Sequence, residues 1–322
     1  MQQTVIPELF LHKQQDLNIR PSTKPLIILP GFIGKAKMKE QCKRNALNML
    51  QGNSIKSFFL FCVVSLMFYQ GKLLAQCNVQ NQTFRSGEYA LYQVYYNWGV
   101  FWFHAAEATF ETRPALWNNK KAYHFVSTGK TLPNYDWFFK VRDVYQSVAD
   151  SATLSPLWFS RVTSEGGFQV NNQYTFKQNV IHSSTQNSNT PRKTDTLKYS
   201  GCVYDLLTAI YATRTLSYNK LHLNDTVGIC VVVDNEIFPL TIRYLGVEEI
   251  ENKDEIKYRC QKFAVELVAG TIFTEGEEMV VWVSDDQAKV PIRVEAKILI
   301  GSIVAHLSSV SGSAWPISAK QP

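Results

Sequence analysis

The sequence has few of the residues and motifs by which enzymes are usually recognised. Its 322 residues include six histidines, and no two of them fall at the close spacing of a metal site. The nucleophile elbow, the P-loop and the dinucleotide-binding glycine pattern are absent as well. A lone strand histidine such as His104 is more typical of a half-buried side chain than of a ligand. We therefore predict no metal site, no cofactor and no enzymatic activity.

The acidic residues offer only weak candidates for catalysis. A hydrolase could use two carboxylates, and Glu165, Asp285 and Asp286 are the acids in suggestive surroundings. The Asp285–Asp286 pair is also typical of a turn closed by side-chain hydrogen bonds to the backbone. The segment "SEGGF", which contains Glu165, predicts a bend, in which Gly166 and Gly167 permit a bulge or strong sheet curvature.

No apolar run reaches the roughly 20 residues that a membrane-spanning helix needs. The most apolar stretch of the chain is 56–77, and its core, Phe58–Tyr69, has 12 residues, a length typical of a signal-peptide core or a buried helix. Lys56 precedes this run, and Leu73-Leu74-Ala75 ends in a small residue where a leader peptidase could cut. These flanks favour an export signal, with an uncleaved anchor and a core helix as alternatives.

The position of this signal predicts three segments. Translation from Met49 would give a signal of ordinary length over residues 49–75, and residues 1–48 would then be an upstream extension with a misassigned start. Residues 76–322 would form a single exported all-β domain, located in the periplasm or associated with the outer membrane.

The excess of basic over acidic side chains disappears once the leader is set aside. The chain has 33 Lys and Arg against 27 Asp and Glu, but residues 1–75 hold 10 of the basic and 3 of the acidic side chains. The remainder therefore carries 23 basic and 24 acidic side chains. Without a basic cluster to contact phosphates, nucleic acid is excluded as a partner.

Four cysteines follow the predicted cleavage site: Cys77, Cys202, Cys230 and Cys260. Their wide spacing matches no zinc pattern, and in an exported chain they could form disulfides with three possible connectivities. We favour at most one bridge, Cys77–Cys202. Cys77 could also carry a lipid anchor, but Gln76 occupies the position where lipoprotein signals need a small residue, so cleavage after Ala75 is favoured.

Strand signals dominate the mature chain. Aromatic-rich and alternating runs recur from residue 88 to residue 310, and "VPIRVEAKI" shows one wet and one dry face. The period changes to that of a helix only over residues 200–217, where Val203, Leu207 and Ile210 share one apolar face. Ser200 is a plausible N-cap. The sequence predicts one strongly curved antiparallel sheet or open barrel-like sheet, with a single main helix packed on it.

The aromatic residues suggest a binding surface. Neighbours in a strand point to opposite faces, so the consecutive aromatics near residues 95–103 and 135–139 cannot all reach one core. Some must line a second apolar surface or a cavity, which often marks a binding site. The alternative is that both faces are packed, one by the helix and one by closure of the sheet. The candidate ligand-binding residues are Tyr95, Trp98, Trp102, Tyr135 and Trp137.

Several blocks together resemble a known family. "SGEYALYQVYYNWGVFWFHAAEATFE", "FFKVRDVYQSVAD", "LSPLWFSRVTSEGGF", "YDLLTAIYATR" and "VWVSDDQAKVPIRVEAKILIGSIVAHL" resemble the exported bacterial domain-of-unknown-function family 3108, in its Bacteroidetes branch, over residues 84–310. The chain departs from the family in the loop Gln287-Ala288-Lys289, where Asp-Asn-Arg is usual. The resemblance implies a YmcC-like, mostly β envelope protein, and it implies no catalytic residues.

Three functional hypotheses follow. The first is a non-enzymatic envelope protein that binds an apolar ligand, such as a lipid, or a glycan in its curved sheet. The second is a structural partner in an envelope assembly, which uses its sheet edges or aromatic surface for protein contacts. The third is a hydrolase that uses Glu165 or the Asp285–Asp286 loop.

Overall fold

The structure is a computed structural model that describes residues 79–98, 100–266, 278–297 and 301–321. The chain divides into two units, Met1–Lys72 and Leu73–Pro322, and all described residues belong to the second. The upstream extension, the export signal, Cys77 and the cleavage site thus lie outside the described residues and stay predictions. No helix within the described ranges is long and apolar enough to cross a membrane.

Fifteen strands of the described residues form one antiparallel sheet, which confirms the predicted fold class. The strands are β1 (Tyr89–Trp98), β2 (Phe101–Trp117), β3 (Lys120–Thr131), β4 (Val141–Asp150), β5 (Pro156–Glu165), β6 (Phe168–Lys177), β7 (Val180–Asn187), β8 (Thr190–Lys198), β9 (Thr226–Val233), β10 (Glu236–Glu251), β11 (Lys257–Glu266), β12 (Glu278–Ser284), β13 (Pro291–Lys297), β14 (Ser302–Ser311) and β15 (Lys320–Gln321). Their order is β8-β7-β6-β5-β4-β3-β2-β1-β14-β13-β12-β11-β10-β9, and β15 pairs with β11 off this path.

Tight turns join most neighbouring strands, and their residues explain why. Asn118 and Asn119 between β2 and β3 have φ angles of 48° and 62°, the left-handed conformation that two-residue hairpin turns require and that asparagine tolerates. Asp234 and Asn235 close the β9–β10 hairpin in the same way, with φ angles of 47° and 65°. These turns fix the register of long hairpins, so sequential strands become neighbours in the sheet.

The helix α1 (Leu206–Thr213) is shorter than the predicted 200–217. Residues before it are extended, because Tyr204 forms a parallel bridge with Val231 of β9. The N-cap is Asp205 rather than Ser200, and its carboxylate accepts hydrogen bonds from the backbone N–H groups of Leu207 and Thr208. After Thr213 the chain turns and forms a separate 3-10 helix, Tyr218–Lys220; another 3-10 helix is Pro133–Tyr135.

The helix covers the inner face of the sheet, which we define as the face that carries Phe125, Phe159 and Tyr174. The Tyr211 ring of α1 stacks on Phe125 with their centroids 3.9 Å apart, and the buried Leu207 joins the same core cluster. Ile210, which the apolar pattern placed on the buried side, is exposed instead. The predicted apolar face was therefore right for Leu207 and wrong for Ile210.

The sheet curves so strongly that the β9–β10 hairpin, at one end of the strand order, contacts β5 and β6. Asp234, at the tip of the β9–β10 hairpin, accepts hydrogen bonds from Arg161 of β5 at 2.5 Å and from Asn172 of β6 at 2.8 Å. Val232 of β9 is fully buried in the same cluster as Phe159. The curvature places α1 between the two halves of the sheet.

Candidate functional site

The inner face has an apolar area at one end that α1 does not cover. Cross-strand register links its members: Val94 faces Ala305, Ala305 faces Val294, and Val294 faces Val281, and residues directly opposite in a ladder share one face. Tyr96 faces both Ile303 and Phe103. We call this set the apolar shelf. Its members are Val94, Tyr96, Phe103, Val281, Val294, Ile303 and Ala305.

Every side chain of the apolar shelf is only partly buried. The same strands bury their inner-face residues completely a few positions further along, as at Tyr92 and Ile292. Tyr92 lies close to Arg214 in the segment after α1, whereas α1 itself packs against β3, β4 and β9. Partial burial raises the pKa of the Tyr96 phenol on this surface. The shelf is therefore a half-covered apolar surface across five strands, β2, β1, β14, β13 and β12.

A carboxyl pair lies on the inner face at the same end of the sheet. Val141 faces Glu165 in the β4–β5 ladder, and Asp143 is two residues further along β4, on the same side. The backbone N–H of Ser164 donates to Asp143 Oδ1 at 3.2 Å. Burial and the Glu165 carboxylate raise the pKa of Asp143 to about 7, while Arg161 opposes the shift. The pair can hold one proton near neutral pH.

Only half of this pair was among the predicted acids. Glu165 was named as a hydrolase candidate together with Asp285 and Asp286, but its neighbour in the structure is Asp143, 22 residues away in sequence. The alternation in "KVRDVYQ" places Asp143 on the same side as Val141 and Tyr145, which is the signal that could have revealed it.

Asp285 and Asp286 are occupied by hydrogen bonds to β11, to their own loop and to the segment that contains Ala319. Asp285 accepts from Arg259 Nε at 2.6 Å and from Gln261 Nε2 at 2.5 Å. Asp286 accepts from the Ser284 hydroxyl at 2.8 Å and from two backbone N–H groups. The geometry is that of a turn that also ties down the end of the chain.

Gly166 and Gly167 form the turn between β5 and β6. Both have positive φ angles, 55° and 91°, which favour glycine. A Cβ atom on Gly166 would lie 2.5 Å from the Phe139 ring, so the turn also accommodates an aromatic side chain from the β3–β4 loop.

The structure describes four of the five predicted ligand-binding aromatics and places them in two locations. Tyr95 stacks on His104 with centroids 5.1 Å apart, and Lys253 Nζ lies 4.8 Å from the Tyr95 centroid and 5.4 Å from that of Trp102. Tyr95 faces Val304 and not the shelf residue Ile303, so Tyr95 and Trp102 belong to the outer face. The side chain of Trp98 lies outside the described residues.

Tyr135 and Trp137 occupy the β3–β4 loop. Thr131 Oγ1 donates to Asp136 Oδ1 at 2.6 Å, and Arg142 donates to both oxygens of Asp136. This network holds the loop, and Trp137 remains 63% exposed at its tip.

The cysteines among the described residues are in two states. Cys202 is disulfide-bonded, whereas Cys230 and Cys260 are thiols. Burial raises the pKa of the Cys260 thiol to about 12, so it is unreactive. Because Cys77 is outside the described residues, the pairing Cys77–Cys202 stays a prediction.

Comparison with protein families gives one match that covers most of the domain. The model of DUF3108, described as a protein of unknown function, matches residues 91–308. The chain belongs to this family. A branch within DUF3108 and a YmcC-like fold stay predictions, and comparison with curated proteins gave no match.

Comparison with solved structures gives a weaker similarity. The crystal structure of a beta-barrel-like protein of domain of unknown function DUF1849 from Brucella abortus aligns with a TM-score of 0.46 and 7% sequence identity. The alignment covers 73% of this DUF3108 chain and 98% of the other chain.

Proposed function

We propose that this DUF3108 chain is an exported, non-catalytic envelope protein that binds an apolar ligand, such as the acyl chain of a lipid, on the apolar shelf. The observation that carries the proposal is the partial exposure of seven apolar side chains on one continuous inner face. Soluble proteins rarely leave a contiguous apolar surface without a binding role, and each Å² that a ligand covers contributes about 25 cal/mol.

The chemistry of the shelf favours an apolar ligand over a glycan. Six of its seven members lack any polar side-chain atom, and Tyr96 contributes one hydroxyl. Glycan recognition needs several well-placed hydrogen-bonding groups, which this composition does not supply.

The edges of the sheet are poorly suited to the alternative role in an assembly through strand pairing. The edge strand β8 carries Pro191, Arg192 and Lys193, and charged residues and proline on an edge oppose pairing with another chain. At the other edge, the backbone of Tyr204 is hydrogen-bonded to Cys230 and Val232 of β9, both at 2.9 Å. A protein partner would therefore have to use side-chain surfaces.

Export is supported by two independent features. The apolar run Phe58–Tyr69 has the length of a signal core, and Cys202 is disulfide-bonded, a state that persists in oxidising compartments outside the cytosol. Native mass spectrometry of the protein recovered from its own cell envelope tests this part. A chain beginning at Gln76 with a bound small molecule would support export and ligand binding together.

A pair of neighbouring substitutions tests the ligand site. Val281 belongs to the shelf, and the adjacent Val280, also partly buried, points to the other face. We expect Val281→Lys to abolish binding of a fluorescent fatty acid and Val280→Lys to retain it, with thermal melts confirming that both variants fold. Equal binding by both variants would refute the shelf as the ligand site.

A further inference from the structure

The end of the sheet beside the shelf carries exposed aromatic side chains on two neighbouring hairpins. The β1–β2 turn presents Val100, Phe101 and Trp102, and the β3–β4 loop presents Trp137 and Phe139. The two hairpins are adjacent because β2 pairs with β3, and the backbone N–H of Leu132 donates to Ala105 O at 2.9 Å. We call these five residues, four aromatics and one valine, the aromatic end.

The aromatic end is held outwards by contacts beneath it. Lys253 lies against the Trp102 ring, and Phe139 fits against Gly166. The Thr131–Asp136–Arg142 network fixes the base of the loop. Even so, Phe101 is 57% exposed and Trp137 is 63% exposed. Several large apolar side chains exposed side by side mark an interaction site for a protein or a membrane.

The charged side chains around the aromatic end differ in whether they form ion pairs. Lys130 is paired with Glu107, and Arg142 with Asp136, so these four charges cancel. Lys140 and Lys297 are exposed, and neither has an ion-pair partner among the described residues. Lys297 faces Ser302, which in turn faces Asn97 next to the β1–β2 turn. Two exposed lysines therefore lie beside the aromatic tips, while the Asp143–Glu165 carboxyl pair lies on the inner face at the same end.

We propose that the aromatic end docks on the surface of an anionic lipid bilayer. Tryptophan and phenylalanine side chains prefer the interfacial region, and lysines beside them attract anionic headgroups. A specific protein interface buries about 800 Å² on each partner, whereas a few apolar side chains on two loop tips suit insertion into a fluid headgroup layer. Docking would bring the open end of the shelf to a source of acyl chains, but the inference stands on different residues from the ligand site.

Binding of the protein purified from its own cells to vesicles tests this proposal. The probes are vesicles of phosphatidylcholine alone and of phosphatidylcholine mixed with phosphatidylglycerol, with binding followed by co-sedimentation and tryptophan fluorescence. We expect the wild type to bind the mixed vesicles, and Phe101→Ser with Trp137→Ser to weaken binding about tenfold or more. Lys140→Glu with Lys297→Glu should remove the preference for phosphatidylglycerol.

The strand β2 provides its own control. Leu116 lies near the opposite end of β2 from Phe101, about 50 Å away, and is 71% exposed. Leu116→Ser removes a similar apolar side chain from the surface and should leave vesicle binding unchanged. The single variant Trp137→Ser, which alters only an exposed loop tip, keeps the test valid if the double variant fails to fold.

The outcomes separate docking from ligand binding. Val281→Lys should lose the fluorescent fatty acid and keep vesicle binding, and Trp137→Ser should do the reverse. A wild-type protein that binds neither vesicle, or a Phe101→Ser/Trp137→Ser protein that binds as well as the wild type, would overturn the proposal. Crosslinking from position 137 to one envelope protein, without vesicle binding, would assign the aromatic end to a protein partner instead.

Discussion

Arg214 and Glu88 form a buried ion pair between the segment after α1 and the start of β1, 126 residues apart. Arg214 Nη2 donates to Glu88 Oε2 at 3.1 Å and to the carbonyl oxygen of Ala288 at 2.9 Å, and Nε donates to that of Lys289 at 3.0 Å. One guanidinium therefore joins β1, the chain after α1 and the β12–β13 loop.

Removal of one partner of this pair should destabilise the fold. We expect Glu88→Gln to lower the free energy of unfolding by about 3 kcal/mol, because it leaves a buried guanidinium without its counter-charge. Chemical denaturation measures the effect. Glu111→Gln is the matched control, since it breaks the exposed pair with Arg113 and should cost less than about 0.5 kcal/mol. Similar losses in both variants would contradict a special role for the buried pair.

The carboxyl pair should make stability depend on pH. Burial and the Glu165 carboxylate raise the pKa of Asp143 from its ordinary 3.8 to about 7. The folded state therefore binds the proton more tightly than the unfolded chain, so this stabilisation is complete below pH 3.8 and is lost as the pH rises through 7. Asp143→Asn stays neutral at every pH. We expect it to be more stable than the wild type at pH 8, by about 1 kcal/mol after allowance for solvent screening.

Unfolding curves of the Asp143→Asn variant at pH 5 and pH 8 would check this expectation. The difference from the wild type should grow towards pH 8. Asp195→Asn, on the exposed strand β8, is the control and should follow the wild type. A constant difference between Asp143→Asn and the wild type would show that Asp143 does not titrate in this range.

His306 should give the stability of the fold the opposite dependence on pH. Its Nδ1–H donates to Asn252 Oδ1 at 2.7 Å, and burial, with Arg293 and Lys253 nearby, lowers the pKa of His306 from 6.5 to about 4. The unfolded chain binds this proton more readily, so the stabilisation is present above pH 6.5 and is lost as the pH falls towards 4.

The contribution of His306 can be isolated by substitution. Between pH 6.5 and pH 4.5 the wild type should lose about 2 kcal/mol of stability that His306→Gln does not lose. His222→Gln alters an exposed histidine and should leave the wild-type pH dependence intact. Parallel curves for His306→Gln and the wild type would argue against a buried neutral imidazole.

Asp205 should be important for α1. Besides capping the helix, its carboxylate accepts hydrogen bonds from the hydroxyl groups of Ser147, at 2.9 Å, and Thr208, at 2.7 Å. Asp205→Ala leaves several buried donors unsatisfied, so we expect a loss of about 2 kcal/mol or more. Asp205→Asn keeps an acceptor and should recover part of the loss in thermal melts. Equal losses for Ala and Asn would mean that the charge, and not the acceptor, stabilises the helix.

The sequence predicted features that depend on local pattern. Alternation identified the strands, because this signal depends on a few neighbouring residues. The helix boundary was wrong since Tyr204, which fits a helical pattern, is held extended by β9. Such a contact joins distant parts of the chain and leaves no local trace.

In the candidate site, too, local pattern predicted some features, and others depend on contacts between distant residues. The aromatic residues were recognised as excessive for one core, and Trp137 and Trp102 are indeed among the exposed ones. Their assignment to faces needed the bulge between Val94 and Tyr95, which changes the side of β2 that Trp102 and His104 occupy. The Asp143–Glu165 pair likewise depends on cross-strand register, and no motif encodes it.

The pairing of β1 with β14 has a consequence for the order in which the chain folds. Tyr89 faces Ser311 and Asn97 faces Ser302, so the ladder at the middle of the sheet joins the first strand to one synthesised more than 200 residues later. Such a distant contact closes late and slowly. Until β14 emerges, the sheet exists as two incomplete halves with open edges. A newly made chain would therefore remain loosely folded until β14 has been synthesised.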